Sequence, residues 1–131
     1  MKKPESRGQS ILEFALTLPI FLAIVVGVVD VGHAVVARSL LANCAREGAR
    51  SAIFPQTGDG TVISAVNSQA LFLGTIPSSD ISISPTTTSA RVSGTTVTVT
   101  VTYQFHPITP LAREAMGSIL TMTSNSTMAI E

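Results

Sequence analysis

The strongest pattern in the chain is an apolar run over residues 14–29, which lies between Glu13 and Asp30 and contains no charged residue. Ile11 and Leu12 extend it toward the N-terminus and a weakly polar turn follows it, so roughly 20 residues are available for a span. That length allows a helix to cross a hydrocarbon layer of about 30 Å. The pattern therefore predicts a membrane-spanning helix near the N-terminus.

The same helix is predicted to continue to about residue 50, well beyond the apolar run. At 1.5 Å per residue it would extend roughly 60 Å, so its second half must lie outside the membrane. Pro19 predicts a gentle kink, because membrane helices tolerate proline. From Ala37 the pattern becomes amphipathic. The predicted apolar face of this second half consists of Leu41, Cys44, Gly48 and Ala52.

Alternation with a period of two predicts β-strands in the C-terminal half of the chain. It is strictest over residues 95–105, where apolar side chains alternate with threonine and glutamine. We expect this strand in the middle of an antiparallel sheet, because an unpaired run of this kind would promote aggregation. A shorter strand is predicted at Ile81 and Ile83. Another is predicted from Leu120 onward, with a bulge near Asn125.

A second, short helix is predicted after a linker of turn-forming residues, with Thr61 as its N-cap and Gly74 just past its end. The predicted fold is α+β: a long N-terminal transmembrane helix, followed by a small head with a short helix and a three- to four-stranded antiparallel sheet. The predicted divisions are a basic leader at 1–8, the long helix at 9–53, membrane-spanning in its first half, a linker at 54–60 and the head at 61–131.

Composition and charge narrow the function classes. Charged residues make up 12% of the chain, about half of the roughly 25% usual in soluble proteins. The formal net charge is zero, whereas a nucleic-acid-binding protein would carry a basic patch or stripe. The sequence offers no nucleophile with an adjacent base, no paired carboxylates and no phosphate-binding glycine loop. We therefore predict no enzymatic activity, no cofactor, no metal and no small-molecule substrate.

Two residues could carry chemistry, and a structural role is the expectation for each. Cys44 is the only cysteine, which rules out an intrachain disulfide. We expect it to be a small apolar filler, with an intermolecular disulfide as the alternative. His33 follows Asp30 by three residues, and such a pair could relay protons or bind a metal. Placement of both residues at the membrane interface is the preferred interpretation.

Two features of the apolar segment indicate association with other chains. Small residues or proline recur every four positions at Ala15, Pro19, Ala23 and Gly27, and such a stripe lets a second helix approach closely in lipid. Glu13 lies just inside the start of the span. A carboxylate at that depth is costly in lipid, so we expect it either to reach water or to have a specific partner.

The N-terminal region also resembles a known family. Gly8, four further residues, Glu13 and the aromatic Phe14 precede the long apolar helix, an arrangement similar to a class III, type IV pilin-like signal. Residues 8–50 as a whole resemble the TadE-like family, the minor pilins or pseudopilins of the tight-adherence (Flp) pilus apparatus. Beyond Arg50 the resemblance is limited to the general layout and the ending of the chain.

This resemblance implies a structural, adhesion- or secretion-related role in the bacterial inner membrane or in an extracellular pilus. The small N-terminal tail and the Ser/Thr-rich C-terminal domain predict that the N-terminus lies in the cytoplasm and the head outside. The resemblance also implies cleavage by a prepilin peptidase between Gly8 and Gln9. The implied partners are other pilin-like subunits, the membrane platform of the apparatus and membrane lipid. Glu13 would pair with the new N-terminal amine of a neighbouring subunit and thereby set the register between subunits, since two opposite charges tolerate lipid better together than apart.

Two alternative functions are compatible with the same sequence. The chain could be an unprocessed single-pass anchor with an extracytoplasmic β-rich head, and its mature N-terminus would then be Met1. It could also be a secreted domain released from an ordinary signal peptide. Residues 34–37 approximate a cleavage site for that purpose, although Glu13 and Pro19 interrupt the apolar region.

Overall fold

The computed structural model describes residues 6–54 and 57–130, so residues 1–5 of the predicted leader and 55–56 of the predicted linker lie outside it. The described residues form three α-helices and three β-strands, which confirms the predicted α+β fold. In chain order the elements are α1 (Ser6–Ala52), α2 (Asp59–Ser68), β1 (Ile81–Ser84), β2 (Thr96–Phe105), α3 (Pro110–Met116) and β3 (Leu120–Ala129).

Helix α1 passes through two environments. It has 47 residues, which corresponds to roughly 70 Å, and Pro19 lies inside it without ending it. Residues 8–26 are exposed throughout. In the second half, by contrast, Leu41 and Cys44 have almost no exposed surface. The helix therefore changes along its length from an open apolar rod to a core element of the head.

The three strands form an antiparallel sheet in the order β1-β2-β3, with β2 in the centre as predicted. Val97, Val99 and Val101 of β2 point toward the core and are fully buried. The threonines that alternate with them are half-buried or exposed. This is the burial expected of an antiparallel strand with one packed and one solvated face.

Strand β3 pairs with β2 in a continuous register, from Leu120 to Ala129. The bulge predicted near Asn125 is wrong, because Asn125 pairs directly with Thr100 and no residue is skipped on either side. The inward-facing serines of β3 are only half-buried, since this strand lies at the edge of the sheet. Their hydroxyl groups therefore need no bulge to reach solvent.

The core lies between the sheet, α2 and the second half of α1. On the α1 side it is built from small residues, and Ala45, Ala49 and Ala52 are fully buried. Small side chains let α2 and the sheet approach the helix closely on two sides. The buried residues that lie outside α1 in this core are Val62, Val66, Ala70, Ile76, Ile81, Ile83, Val97, Val99, Val101 and Ile130.

Helix α2 begins at Asp59, earlier than predicted, and ends at Ser68, well before Gly74. The side chain of Asn67 explains the early end. It accepts a hydrogen bond from the Ile76 amide at 2.8 Å and donates one to the Ile76 carbonyl at 3.2 Å. An asparagine that bonds to backbone outside its helix competes with continuation of that helix. The chain therefore turns back toward α1 after Ser68.

A buried arginine holds the start of α2 in place. The side chain of Arg91 is fully buried and donates to Asp59 Oδ1 at 2.6 Å. It also donates to the carbonyl oxygens of Pro85 and Thr57, each at 3.2 Å. A guanidinium can satisfy partners in several directions at once because its donors form a rigid fork. Arg91 thus ties the beginning of α2 to the turn that follows β1.

At Gly48, α1 lies in close contact with both α2 and the sheet. A Cβ atom at this position would lie 2.6 Å from Val66 Cγ2 and 3.0 Å from Val99 Cγ1. Both valines have a restricted χ1 angle, so neither can easily move aside. The absence of a side chain at Gly48 is therefore required for the packing of the head.

We expect Gly48→Ala to destabilise the head by up to about 2 kcal/mol, because an overpacking penalty of about 1–3 kcal/mol is offset by a gain in helix propensity of only roughly 1 kcal/mol. Gly60→Ala in α2 is the matched control, since nothing lies within 4 Å of its Cβ position. It should be neutral or slightly stabilising. Denaturant unfolding of the full chain in detergent, followed by the fluorescence of the single tyrosine, measures both. Equal stability of the two variants would contradict tight packing at Gly48.

Candidate functional site on the N-terminal helix

The residues predicted for processing and for subunit register lie in the exposed N-terminal part of α1. Gly8, Gln9 and Glu13 are all exposed and have helical backbone. The apolar side chains beside them are exposed as well, Ile11 at 69% and Phe14 at 63%. Among the described residues, α1 is the one helix long and apolar enough to cross a membrane. These features fit a single-pass membrane protein.

The predicted small-residue stripe is divided between two environments. Ala15 is exposed and Gly27 is half-buried. The two members between them face a shallow groove whose other wall belongs to the loop before α3. This groove is lined by Pro19, Leu22, Ala23, Val26, Thr109 and Pro110. Part of the stripe thus lies beside the head of its own chain, and its N-terminal end remains open to a second helix.

Asp30 connects α1 to the loop that precedes α3. The residue is 1% exposed. Its Oδ1 atom accepts a hydrogen bond from the Ile108 amide and its Oδ2 atom one from the Thr109 amide, both at 3.1 Å. The Thr109 hydroxyl also donates to Oδ2. We call this arrangement of Asp30, the two amides and the hydroxyl the Asp30 clamp.

Thr109 has a second role as the N-cap of α3. Its Oγ1 atom accepts a hydrogen bond from the Ala112 amide at 3.2 Å, and Pro110 occupies the first turn of the helix. Threonine at the cap and proline immediately after it form a favourable helix start. Arg113 Nε donates to the Pro107 carbonyl at 2.9 Å, which holds the preceding loop. One hydroxyl group therefore both starts α3 and attaches it to α1.

Sequence reasoning missed the partner of Asp30. It placed Asp30 at the membrane interface and identified no partner for it in the C-terminal half of the chain. A lone carboxylate after an apolar run and a Thr-Pro pair each indicate hydrogen bonding, but the two are 79 residues apart. Only the return of β2 toward the membrane-proximal part of α1 brings them together.

The other residues considered for chemistry have structural positions. His33 lines an apolar groove together with His106. Within residues 6–54 and 57–130, no group of three His, Cys, Asp or Glu side chains could hold a metal ion. Cys44 is completely buried, and this burial raises the pKa of its thiol. A raised thiol pKa disfavours the reactive thiolate, so the position agrees with the expected apolar filler.

Comparison with known proteins supports the N-terminal resemblance. The family model of TadE-like proteins matches residues 8–50, the same residues on which the resemblance was based, so the resemblance is confirmed. The match covers most of α1 and leaves the rest of the head outside it. No curated protein and no solved structure matches the chain.

We expect Thr109→Val to loosen the loop before α3, because it removes both the N-cap and the hydroxyl donor to Asp30. Loss of a cap alone costs about 0.5–2 kcal/mol, and about 1.4 kcal/mol corresponds to a tenfold change in the opening equilibrium. Backbone amides 108 and 109 should therefore exchange with solvent roughly tenfold faster. Hydrogen exchange read by mass spectrometry measures this, with the amides of β2 as an internal reference.

Thr109→Ser is the matched control for this experiment, since serine retains the hydroxyl group and caps helices as well as threonine does. Asp30→Asn should act in the same direction as Thr109→Val, because an amide group has one acceptor oxygen where a carboxylate has two. If exchange at amides 108 and 109 were equally slow in the valine and serine variants, the clamp would have no role in holding the loop.

Proposed function

We propose that this chain is a minor pilin or pseudopilin-like subunit of a tight-adherence (Flp) pilus or a related secretion apparatus. It acts by helix packing and assembly, without catalysis. The observation that carries the proposal is the exposed apolar part of α1 with Glu13 at its start, within the residues that match TadE-like proteins. A continuous apolar surface of this extent requires lipid or other apolar helices around it.

In this proposal a prepilin peptidase cleaves the chain between Gly8 and Gln9. Both residues are exposed, and the space around Gly8 is open, with nothing within 4 Å of its Cβ position. Both facts support access of a peptidase to this bond. Cleavage leaves a free α-amino group on Gln9, whose ordinary pKa of about 7.7–8.0 keeps it largely protonated at neutral pH.

The new amine would pair with Glu13 of a neighbouring subunit. Glu13 lies four residues after Gln9, which is about 6 Å along the helix axis. A lateral pair between two parallel helices therefore requires a stagger of about that size between the chains. Any other stagger leaves an amine and a carboxylate unpaired in lipid, which is strongly unfavourable. The pair thus selects one register out of the many that apolar packing would accept.

We place the N-terminus in the cytoplasm and the head outside the inner membrane, because the head is rich in serine and threonine. The Asp30 clamp supports retention of the helix and disfavours release of the head as a secreted domain. Cleavage after Ala37 would remove Asp30, and the amides of Ile108 and Thr109 would lose their acceptor. The head is therefore best understood as one unit with its membrane helix.

Glu13→Gln should leave membrane insertion intact and reduce incorporation of the chain into pili. Removal of one partner of a buried ion pair costs about 3 kcal/mol or more, which is roughly a hundredfold in an equilibrium. Glu114→Gln, at an exposed carboxylate of α3, is the matched control and should assemble normally. Quantitative mass spectrometry of purified pili gives the ratio of this chain to the major subunit. Unchanged incorporation of Glu13→Gln would count against the proposed pairing.

The N-terminal residue of the membrane-extracted protein separates this proposal from its main alternative. Gln9 at the N-terminus is the result expected for a processed pilin-like subunit. Met1 at the N-terminus, in protein taken from the assembled complex, would favour an unprocessed single-pass anchor and would remove the amine on which the Glu13 pairing depends.

A further inference from the structure

Two loops of the head return to α1 at the end of its apolar segment. After α2, residues 70–74 run back along α1, so that Phe72 and Leu73 line one groove with Val36 and Leu40. After β2, residues 106–109 reach α1 at Asp30 through the clamp. Both loops therefore lie at the membrane-proximal end of the head.

These loops expose large apolar side chains. Leu71 is 79% exposed, Phe72 83% and Ile108 62%. Phe72 and Ile108 line the same groove beside α1. The groove has no Asp, Glu, Lys or Arg among the residues that line it, and its polar groups are those of Tyr103 and two histidines. Tyrosine is enriched at membrane–water interfaces, where an apolar ring and a polar tip are both accommodated.

The height of these side chains along α1 matches the polar boundary of a bilayer. Asp30 ends the uncharged run, and Val36 lies six residues, or about 9 Å, further along the helix axis. The headgroup region on each side of the hydrocarbon is about 5–8 Å thick. Ile108, whose amide bonds to Asp30, thus lies at the level where the hydrocarbon ends. Phe72, which shares a groove with Val36, lies about 9 Å further along the helix axis, at the outer edge of the headgroup region.

We propose that Leu71, Phe72 and Ile108 form a membrane seat, a surface by which the head rests in the headgroup region of the outer leaflet. The seat adjoins the apolar surface of the span, because Leu22 and Val26 of α1 line a groove with Thr109, the residue after Ile108. The partner is therefore the lipid surrounding the helix, before the chain enters any filament. This inference rests on the membrane insertion proposed above.

The seat and the Asp30 clamp have complementary effects on the head. The clamp fixes the 106–109 loop to one turn of α1, and the seat keeps that turn at the membrane surface. A head held at both points cannot tilt freely on its helix, so all copies in the membrane present the same face to their neighbours.

The test uses the full chain reconstituted into vesicles of phosphatidylethanolamine and phosphatidylglycerol, with a fluorophore on a single introduced cysteine. Phe72→Cys places the label in the seat. Phe54→Cys is the matched control, since Phe54 is also an exposed phenylalanine, at 62%, but lies beyond the other end of α1. Ile24→Cys reports on the span itself. The unmodified chain gives the labelling background of Cys44, which is buried.

We expect lipid carrying a nitroxide near its headgroup to quench the label at position 72 several-fold more strongly than the label at 54. Aqueous iodide should show the reverse order. The seat would be overturned if the labels at 72 and 54 were quenched equally by the headgroup nitroxide and equally by iodide. Quenching of the label at 24 by a nitroxide deep in the bilayer would show in the same experiment that the membrane span is intact.

Two further outcomes would also overturn the seat. In the first, the label at position 72 is protected from iodide only at a high protein-to-lipid ratio, and the lipid nitroxide does not quench it. This result would show that a second copy of the chain covers this surface. Failure of the deep nitroxide to quench the label at position 24 would remove the membrane span, and with it both the seat and the proposed membrane role.

Discussion

A carboxylate removed from water requires hydrogen-bond donors, and this requirement at Asp30 determines how the head sits on its helix. Asp30 is almost completely buried, and its donors come from the loop between β2 and α3. The loop must therefore descend to this turn of α1 and stop there. Further up the helix, Gly48 admits Val66 and Val99 into close contact. The two attachment points are about 27 Å apart along the helix axis, which fixes both the height and the tilt of the head.

Helix α1 serves two environments because its side chains change size as well as polarity along its length. The exposed part carries large residues such as Phe14 and Phe21, which can pack against lipid chains or against other apolar helices. The buried part carries Ala45 and Ala49, against which α2 and the sheet pack closely. Large side chains in the second part would push α2 and the sheet away. The change from large to small residues thus marks where the helix stops facing a membrane and begins to form a protein core.

Features with a local periodic signal could be predicted from the sequence. The central strand was predicted because valine and threonine alternate over residues 95–105, and each position on such a strand has a fixed face. The long helix was predicted from its apolar run and its later small-residue face. The end of α2 was not predicted, because it depends on Asn67 bonding to Ile76 beyond a turn. The bulge at Asn125 was predicted wrongly, since polar residues on an inward face need no bulge at a sheet edge.

In the candidate site, too, residues that are close in the sequence could be predicted, whereas contacts between distant residues could not. The predicted processing and register residues lie within six positions of one another, so they could be predicted from sequence alone. The structure shows that these residues, Gly8, Gln9 and Glu13, are exposed. The Asp30 clamp joins residues 78 and 79 positions apart, and no local pattern specifies which loop will supply the donors. The groove between the small-residue stripe and Pro110 is equally a product of the fold.

The two carboxylates that border the apolar run therefore differ in whether their oxygens are available to another chain. Asp30 has its oxygens occupied by donors of its own chain, and these bonds hold the head in one position. Glu13 is exposed at the opposite end of the run. The internal partners of Asp30 fix the position of the head on its own helix. In the proposed assembly, Glu13 would instead pair with a neighbouring chain and set the register between subunits.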